Sequence, residues 1–375
     1  MKDLFGNIKE YPLIPIFAAV TVLTLAGYLF GPEQDFSEME NRFLQKRPAV
    51  TASSLADGSF MDAFEVYTNE QIPLRGALVK CRAAMVYLTG ASENDGIAKG
   101  RDGYLFDKVL SVSDRMDRNA ALIASFAENA GRDVYVAAAP TSTWINADRL
   151  PAGMPVLDEE SCREKLEGAL SGTESAHFID LYPVLCEHAG EQLYYRTDHH
   201  WTTAGAGYAY SAIASAMGLA EDDIRQYEKH EAGDFRGTHY AKYKGINVEP
   251  DTVEYYDVPI GELVLPEGSV SALVDTDALS GYDKYAAFMH GNRGKMEVHA
   301  DKGTGADLVI FKDSYANCLI PYLVMNYDNI TVIDLRYFGG SAADELTAHP
   351  DADVLLLYNY TFLNDDNHFY KLVDR

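Results

Sequence analysis

Two short stretches hold side chains that can do chemistry together. One is RTDHHWT, residues 196–202, where Asp198, His199, His200 and Trp201 are consecutive. The other is LVIFKDSYAN, residues 308–317, an apolar run that ends near Lys312 and leads through Asp313 to Ser314. A serine becomes a nucleophile when a histidine takes its proton and an acid orients that histidine. In an extended or turn backbone, residues i and i+2 face the same way. Asp198 can then accept the Nδ1–H of His200 and leave Nε2 for Ser314. His199 is expected to point the other way, and Trp201 to pack beside the site and shield it from water. Ser314 falls at a strand-to-helix turn. There the backbone N–H groups of Ser314 and Tyr315 emerge from a helix N-terminus and can hold an oxyanion.

Plainer readings compete. Asp and Ser are favoured helix caps, so Asp313 or Ser314 can simply end a helix. Asp and His are also metal ligands, but adjacent ligands rarely converge on one ion. No further His, Asp or Cys cluster at ligand spacing completes a shell, so no metal is assigned. A polar loop in which His and Trp merely pack is the third reading. The serine turn is what favours catalysis.

These residues need elements to position them. DVYVAAAP and AHFIDLYPVL read as strands of a parallel sheet, and ADLVIFKDS, NITVIDLRYF and ADVLLLYNY as three more. Helices are predicted over Gly58–Glu70, Leu74–Leu88, Glu159–Leu170 and Ala204–Met217. The last has Thr202 and Thr203 as candidate caps and Gly218 as its stop. YANCLIPYLVMNY reads as a helix despite Pro321, and GGSAADELTAHP as a looser one. Strand alternating with helix predicts a doubly wound sheet, whose ligands bind at the carboxyl ends of the strands. The segment around 229–302 loses helical period and reads as an insertion of loops and short antiparallel strands.

Composition narrows the function classes. A net charge of -26 over 375 residues repels phosphate backbones, so nucleic acid is not an expected partner. The 4 cysteines form no CxxC pair, which excludes a zinc ribbon or redox motif. The sequence allows a Cys162–Cys186 disulfide. Tyr11–Phe30 carries no charge and matches the ~20 residues of a spanning helix. Pro12 and Pro15 sit at its start, Lys2 and Lys9 before it, and Glu33, Asp35, Glu38 and Glu40 after it. That asymmetry favours the N-terminus inside, diluted by Asp3 and Glu10. An uncleaved anchor fits better than a cleaved signal, because the apolar stretch is long and the cleavage pattern poor.

YYRTDHHWTTAGAGYAY, VIFKDSYANCLIPYL and VIDLRYF together resemble the DHHW protein family, similar to the alginate O-acetyltransferase group of the SGNH hydrolase-like superfamily. ENRFLQKRP, PLRG, GRDGYLF and FRGTHYAK extend the likeness over nearly the whole chain after the anchor. The resemblance implies an SGNH hydrolase-like α/β fold. Its mostly parallel sheet is flanked by helices, with the irregular β-rich insertion and an N-terminal transmembrane helix. Segments 1–31 (anchor or signal), 32–99 (helical lead-in) and 100–375 (catalytic domain) are expected. The resemblance implies Ser314 as nucleophile, His200 as base and Asp198 as its orienting acid. Gly291 and Asn292, then Asn317, are candidate oxyanion donors beside Ser314 and Tyr315. Arg336 is a candidate substrate contact or a partner of Asp334. Thr141 and Ser142 lie at a strand end where that group tends to hold a lysine or similar polar residue. Tyr240, Tyr243, Tyr255 and Tyr256 are sugar-stacking candidates, though scattered tyrosines are more often structural.

The implied function is O-acetylation of a cell-surface polysaccharide outside the cytoplasm. The acetyl donor is a membrane-bound O-acyltransferase, and neither a metal nor a soluble cofactor is required. An acetyl esterase with water as acceptor, or a non-catalytic polysaccharide-assembly scaffold, are the alternatives.

Overall fold

Uninterrupted apolar strands, rather than alternating ones, belong to a sheet covered on both faces. The computed structural model has that arrangement; it describes residue 11 and residues 13–37, 42–90, 93–109, 111–245 and 247–373. Lys2, Asp3, Lys9, Glu10, Pro12, Glu38 and Glu40, named above for the apolar segment and its flanks, lie outside the described residues. The chain divides into two units, Met1–Ala91 with Lys244–Ile246, and Ser92–Tyr243 with Asn247–Arg375.

The first unit holds α1 (Leu13–Phe30), a short antiparallel pair β1 (Phe36–Ser37) and β2 (Arg42–Phe43), α2 (Ser59–Glu70) and α3 (Arg75–Leu88). Helix α1 has a mean hydropathy of 2.2 and no buried residue, and by length and composition it can cross a membrane. Along α2 the Phe60 and Phe64 rings stack at 5.6 Å and Tyr67 follows Phe64 at 6.0 Å.

The second unit starts with a small antiparallel sheet of β3 (Glu93–Asn94), β4 (Ile97–Lys99) and β5 (Leu105–Asp107). Helix α4 (Asp114–Asn129) follows, capped by Ser113; the sequence reading missed it. Then come β6 (Val134–Ala139), α5 (Glu159–Leu170), β7 (Ala176–Asp180), α6 (Tyr182–Glu187) and α7 (Thr203–Met217). Thr202 caps α7 through the Gly205 N–H, and Gly218 ends it at φ 68°. A Cβ at Gly205 would meet the Leu193 carbonyl oxygen at 2.4 Å, so only glycine fits there.

The expected insertion divides in two. β8 (Lys229–Phe235) and β9 (Asp251–Tyr256) form their own antiparallel pair around the short helix α8 (Thr238–Tyr243). β10 (Glu262–Leu265), β11 (Gly268–Val270) and β12 (Lys295–His299) instead extend the main sheet. β13 (Asp307–Lys312), β14 (Asn329–Ile333), α9 (Ala342–Ala348), β15 (Asp353–Asn359) and α10 (Tyr360–Asp365) complete the unit. The main sheet runs β11-β10-β12-β14-β13-β15-β6-β7. The five strands from β14 to β7 are parallel. The other three pair antiparallel, so the segment read as an insertion builds one edge of the sheet.

Alternate side chains feed two cores. Leu308 and Ile310 of β13 pack with α7, while Val309 and Phe311 pack with α4 and α5. One expected helix is absent as such. The stretch after β13 is a 3-10 turn, Ser314–Cys318, followed by a one-turn helix, Ile320–Leu323. Pro321 sits in the first turn of that helix, where its missing N–H costs nothing. Cys162 and Cys186 are both free thiols, the first buried and the second exposed, so they form no disulfide.

Candidate active site

The carboxyl ends of β6, β13, β14 and β15 deliver Thr141, Ser314, Arg336 and Asn359 to one cavity of about 590 Å³. Asp313 is the cap of the turn after β13. Its Oδ1 accepts the Tyr315 N–H at 2.8 Å, and its Oδ2 accepts the Asn359 backbone N–H at 2.7 Å. The Tyr315 N–H is therefore consumed by the cap and is not an oxyanion donor, a correction to the expectation above. Ser314 is left at the tip, and its own N–H has no protein acceptor among the described residues. Burial pushes Asp313 up to about 6, against the bonds from Asn359 and Tyr315.

The second half of the site is a tight loop. An antiparallel bridge between Tyr194 and Trp201 closes it. Asp251 on β9 holds it from outside, accepting the Arg196 N–H at 3.1 Å and the Thr197 N–H and hydroxyl at 2.8 and 2.7 Å. At the loop tip, Asp198 Oδ1 lies 2.5 Å from His200 Nδ1 and also accepts the His200 backbone N–H at 2.9 Å. Asp198 Oδ2 accepts the Thr238 N–H at 2.7 Å and the Thr238 hydroxyl at 2.9 Å. Gly237 leaves space for this: a Cβ there would sit 2.2 Å from Asp198 Oδ2.

Burial opposes charge on Asp198. The imidazoles of His199 and His200 and the bonds from His200 and Thr238 outweigh it and hold the carboxyl well below the usual range. An ionised carboxylate only accepts, so His200 carries its proton on Nδ1. Nε2 then accepts the Ser314 hydroxyl at 2.7 Å. Burial lowers the pKa of His200 despite the pull of Asp198, so at neutral pH the imidazole is uncharged. The Tyr285 ring stacks on it at 3.6 Å and 7°, and the Tyr285 hydroxyl donates to the Ser314 carbonyl at 2.9 Å. Trp201 is fully buried and donates from Nε1 to the Tyr315 carbonyl at 2.8 Å.

His199 does not point away. Its ring lies 3.8 Å from that of His200, its Nδ1 is 2.7 Å from the Thr238 hydroxyl, and it lines the cavity. Ligand atoms of Asp198, His199 and His200 lie within 4.8 Å of one another, closer than neighbours in sequence were expected to come. The Asp198 carboxylate and the His200 ring are nevertheless committed to each other, to Thr238 and to Ser314.

The remaining candidates separate. Arg336 and Thr141 line the cavity with Ser314 and Tyr315, whereas Gly291, Asn292 and Asn317 do not. The Arg336 guanidinium forks onto Asp334 at 2.9 and 2.6 Å, as its plainer reading required. Thr141 donates its N–H to Glu159 at 2.8 Å and its hydroxyl to the same carboxylate. Glu159 is fully buried, which lifts it to about 7 against those bonds. The tyrosines of the insertion serve packing: Tyr243 joins a small core with Ile97 and Leu105, and Tyr255 and Tyr256 lie against the main core. Sequence reasoning missed Thr238, Asp251, Tyr285 and Glu159. Thr238 lies inside the quoted FRGTHYAK, but no spacing pointed to the other three.

The fold is an α/β sheet of the SGNH hydrolase-like kind. The family model described as DHHW protein matches residues 174–333, and that of the SGNH hydrolase-like domain, acetyltransferase AlgX, matches residues 97–249. Among solved structures, a DHHW family protein from Eubacterium siraeum is 23% identical with a TM-score of 0.62, covering 75% of this chain and 96% of that one. PatB1 of Bacillus cereus is 18% identical with a TM-score of 0.60, covering 74% and 99%. A second PatB1 structure, with a sulfonyl adduct, is 17% identical with a TM-score of 0.61, covering 73% and 97%. At these identities the likeness is one of fold. No curated protein matches the sequence.

Proposed function

We propose that the chain is a serine acyltransferase that O-acetylates a cell-surface polysaccharide, held on the outer side of the membrane by α1. The observation that carries the reading is the unbroken line of hydrogen bonds from Asp198 through His200 to Ser314, at 2.5 and 2.7 Å. In the first step Ser314 Oγ attacks the carbonyl carbon of an acyl donor and gives its proton to His200 Nε2. The tetrahedral oxyanion takes the Ser314 N–H. The leaving group departs with the proton from His200, and an ester remains on Ser314. In the second step a sugar hydroxyl loses its proton to His200 and attacks that ester. The acetyl group passes to the sugar oxygen, and the proton returns to Ser314. Asp198 stays ionised and keeps the imidazole in the tautomer this cycle needs.

The likeness to the acetyltransferase family model supports acetyl transfer; the polysaccharide acceptor and the membrane-bound acyl donor are carried over from the resemblance read in the sequence. The cavity, lined by polar side chains that include His199, Lys242 and Arg336, is compatible with a sugar. The adduct in PatB1 suggests the probe. Phenylmethylsulfonyl fluoride should modify Ser314, located by mass spectrometry, and labelling should fall at least ~100-fold in His200→Ala. A folded wild-type protein that takes no label, with p-nitrophenyl acetate also left intact, would sink the reading in favour of the scaffold.

A further inference from the structure

Helix α3 has two apolar faces, and the fold covers one of them. Ala83 is buried, with Val79 and Val86 half-buried beside it. On the other side, Leu78, Cys81, Met85 and Leu88 recur at spacings of 3, 4 and 3 residues, which stacks them in one stripe. That stripe is open: Leu78 is 51%, Met85 62% and Leu88 78% exposed, and Cys81 is an exposed free thiol. Leu74, in left-handed backbone at φ 60° just before the helix, adds an exposed leucine at its head. A row of large apolar side chains left in the open marks a surface that binds something. The charges on α3 are Arg75, Lys80 and Arg82, all basic, in a chain whose net charge is -26. At 3.6 residues per turn, Arg75 and Arg82 flank one side of the stripe and Lys80 the other.

The place of α3 in the first unit says what the stripe meets. The 18 residues of α1 span about 27 Å, close to the ~30 Å hydrocarbon core of a bilayer. Near the outward end of α1, Gly27 is packed so closely on Pro73 that a Cβ would collide with the proline ring, and the Tyr28 hydroxyl donates to the Thr68 carbonyl. Gly27 is three residues, ~4.5 Å, from the end of α1, so the start of α3 is pinned at the depth where acyl chains give way to headgroups. We propose that α3 is an interfacial helix: its stripe enters the outer leaflet, and Arg75, Lys80 and Arg82 reach up its flanks to anionic lipid headgroups. The charge of the rest of the chain is screened beyond ~10 Å and does not cancel this local attraction. Two copies of α3 set stripe to stripe would bring six like charges together, which disfavours a second copy as the occupant. The inference rests on α1 as a membrane anchor and is independent of the acyl-transfer chemistry.

The test places a nitroxide on Cys81 of the full-length chain, in a Cys186→Ser background because Cys162 and Cys318 are buried. The protein is reconstituted in vesicles of phosphatidylcholine with phosphatidylglycerol. Collisions of the label with oxygen, which enters the bilayer, are compared with collisions with a water-soluble nickel chelate. Oxygen should dominate. Leu78→Asn, Met85→Asn and Leu88→Asn together should weaken docking ~10³-fold and return the label to water, since each buried apolar side chain is worth about tenfold. These side chains are exposed within the protein, so the variant keeps its helical circular dichroism. Lys80→Gln with Arg82→Gln should weaken docking ~10-fold on the anionic vesicles and leave it unchanged on phosphatidylcholine alone. A wild-type label that meets the chelate freely, or labels that pair at under ~20 Å between copies and thereby show a second α3 on the stripe, overturns the inference. A chain that an alkaline carbonate wash strips from the vesicles overturns the α1 anchor as well; a retained chain with its label in water overturns the α3 inference alone.

Discussion

Two cavities of similar size lie in the sheet-containing unit, about 590 Å³ around Ser314 and about 530 Å³ around Arg132. Each holds an arginine. Arg132 gives both terminal nitrogens, Nη1 and Nη2, to three backbone carbonyls, those of His349, Ala352 and Leu346, at 2.7 to 3.2 Å. Arg336 is gripped by a carboxylate through Nε and Nη2, and its Nη1 has no protein acceptor among the described residues. Beside Arg132 stand Phe126, Leu346 and Leu372; beside Arg336 stand Ser314, His199 and Thr141. Volume does not separate a site from a crevice. What separates them is whether polar groups are used up by the fold or left facing outward.

Substitutions in each cavity sharpen the contrast. Ser314→Ala and His200→Ala should each cut ester turnover ~10³-fold or more with an unchanged melting temperature, while His199→Ala costs under ~10-fold. Equal losses at both histidines, restored by added metal, would break the comparison in favour of a metal centre.

Glu159 provides the next largest effect. Its folded-state value is about 7 against an ordinary 4.5, so the folded chain binds the proton more tightly. The stability this confers is full below about pH 4.5 and is lost as pH rises through about 7, a swing of about 3 kcal/mol. Denaturant titrations at pH 5 and pH 8 should show that swing in the wild type and a much smaller one in Glu159→Gln. An equal swing in both would place the titration elsewhere.

Arg132→Ala should be smallest. It should destabilise the fold by ~2 kcal/mol, because several carbonyls lose a charged donor, and leave kcat unchanged. A fall in kcat without loss of stability would mean that the second cavity serves the chemistry.

Most of the sheet was legible because its strands are buried on both faces and therefore read as solid apolar runs, as in Val354–Tyr358. The capped helices were legible for the same local reasons, from Thr202 at one end of α7 to Gly218 at the other. Within the site, i and i+2 spacing was enough to bring Asp198 and His200 together. What failed was long-range. The Tyr315 N–H looked free until Asp313 was seen to cap the turn, and His199 looked averted until Thr238 drew it in. Tyr285, Asp251 and Glu159 reach the site from elements with no sequence relation to it. β10 and β12 read as insertion because short strands with glycines between them carry little period.

His200 and Ser314 are 114 residues apart in the chain, yet share one hydrogen bond. Closing a loop of that length comes at an entropic cost that only extensive tertiary packing repays, so such contacts form late in folding. An incompletely folded chain, during synthesis or export, holds a serine no more reactive than any other. On the proposed acyl-transfer reading, catalytic competence is tied to completion of the sheet, and ester turnover would read out how much of a preparation has finished folding.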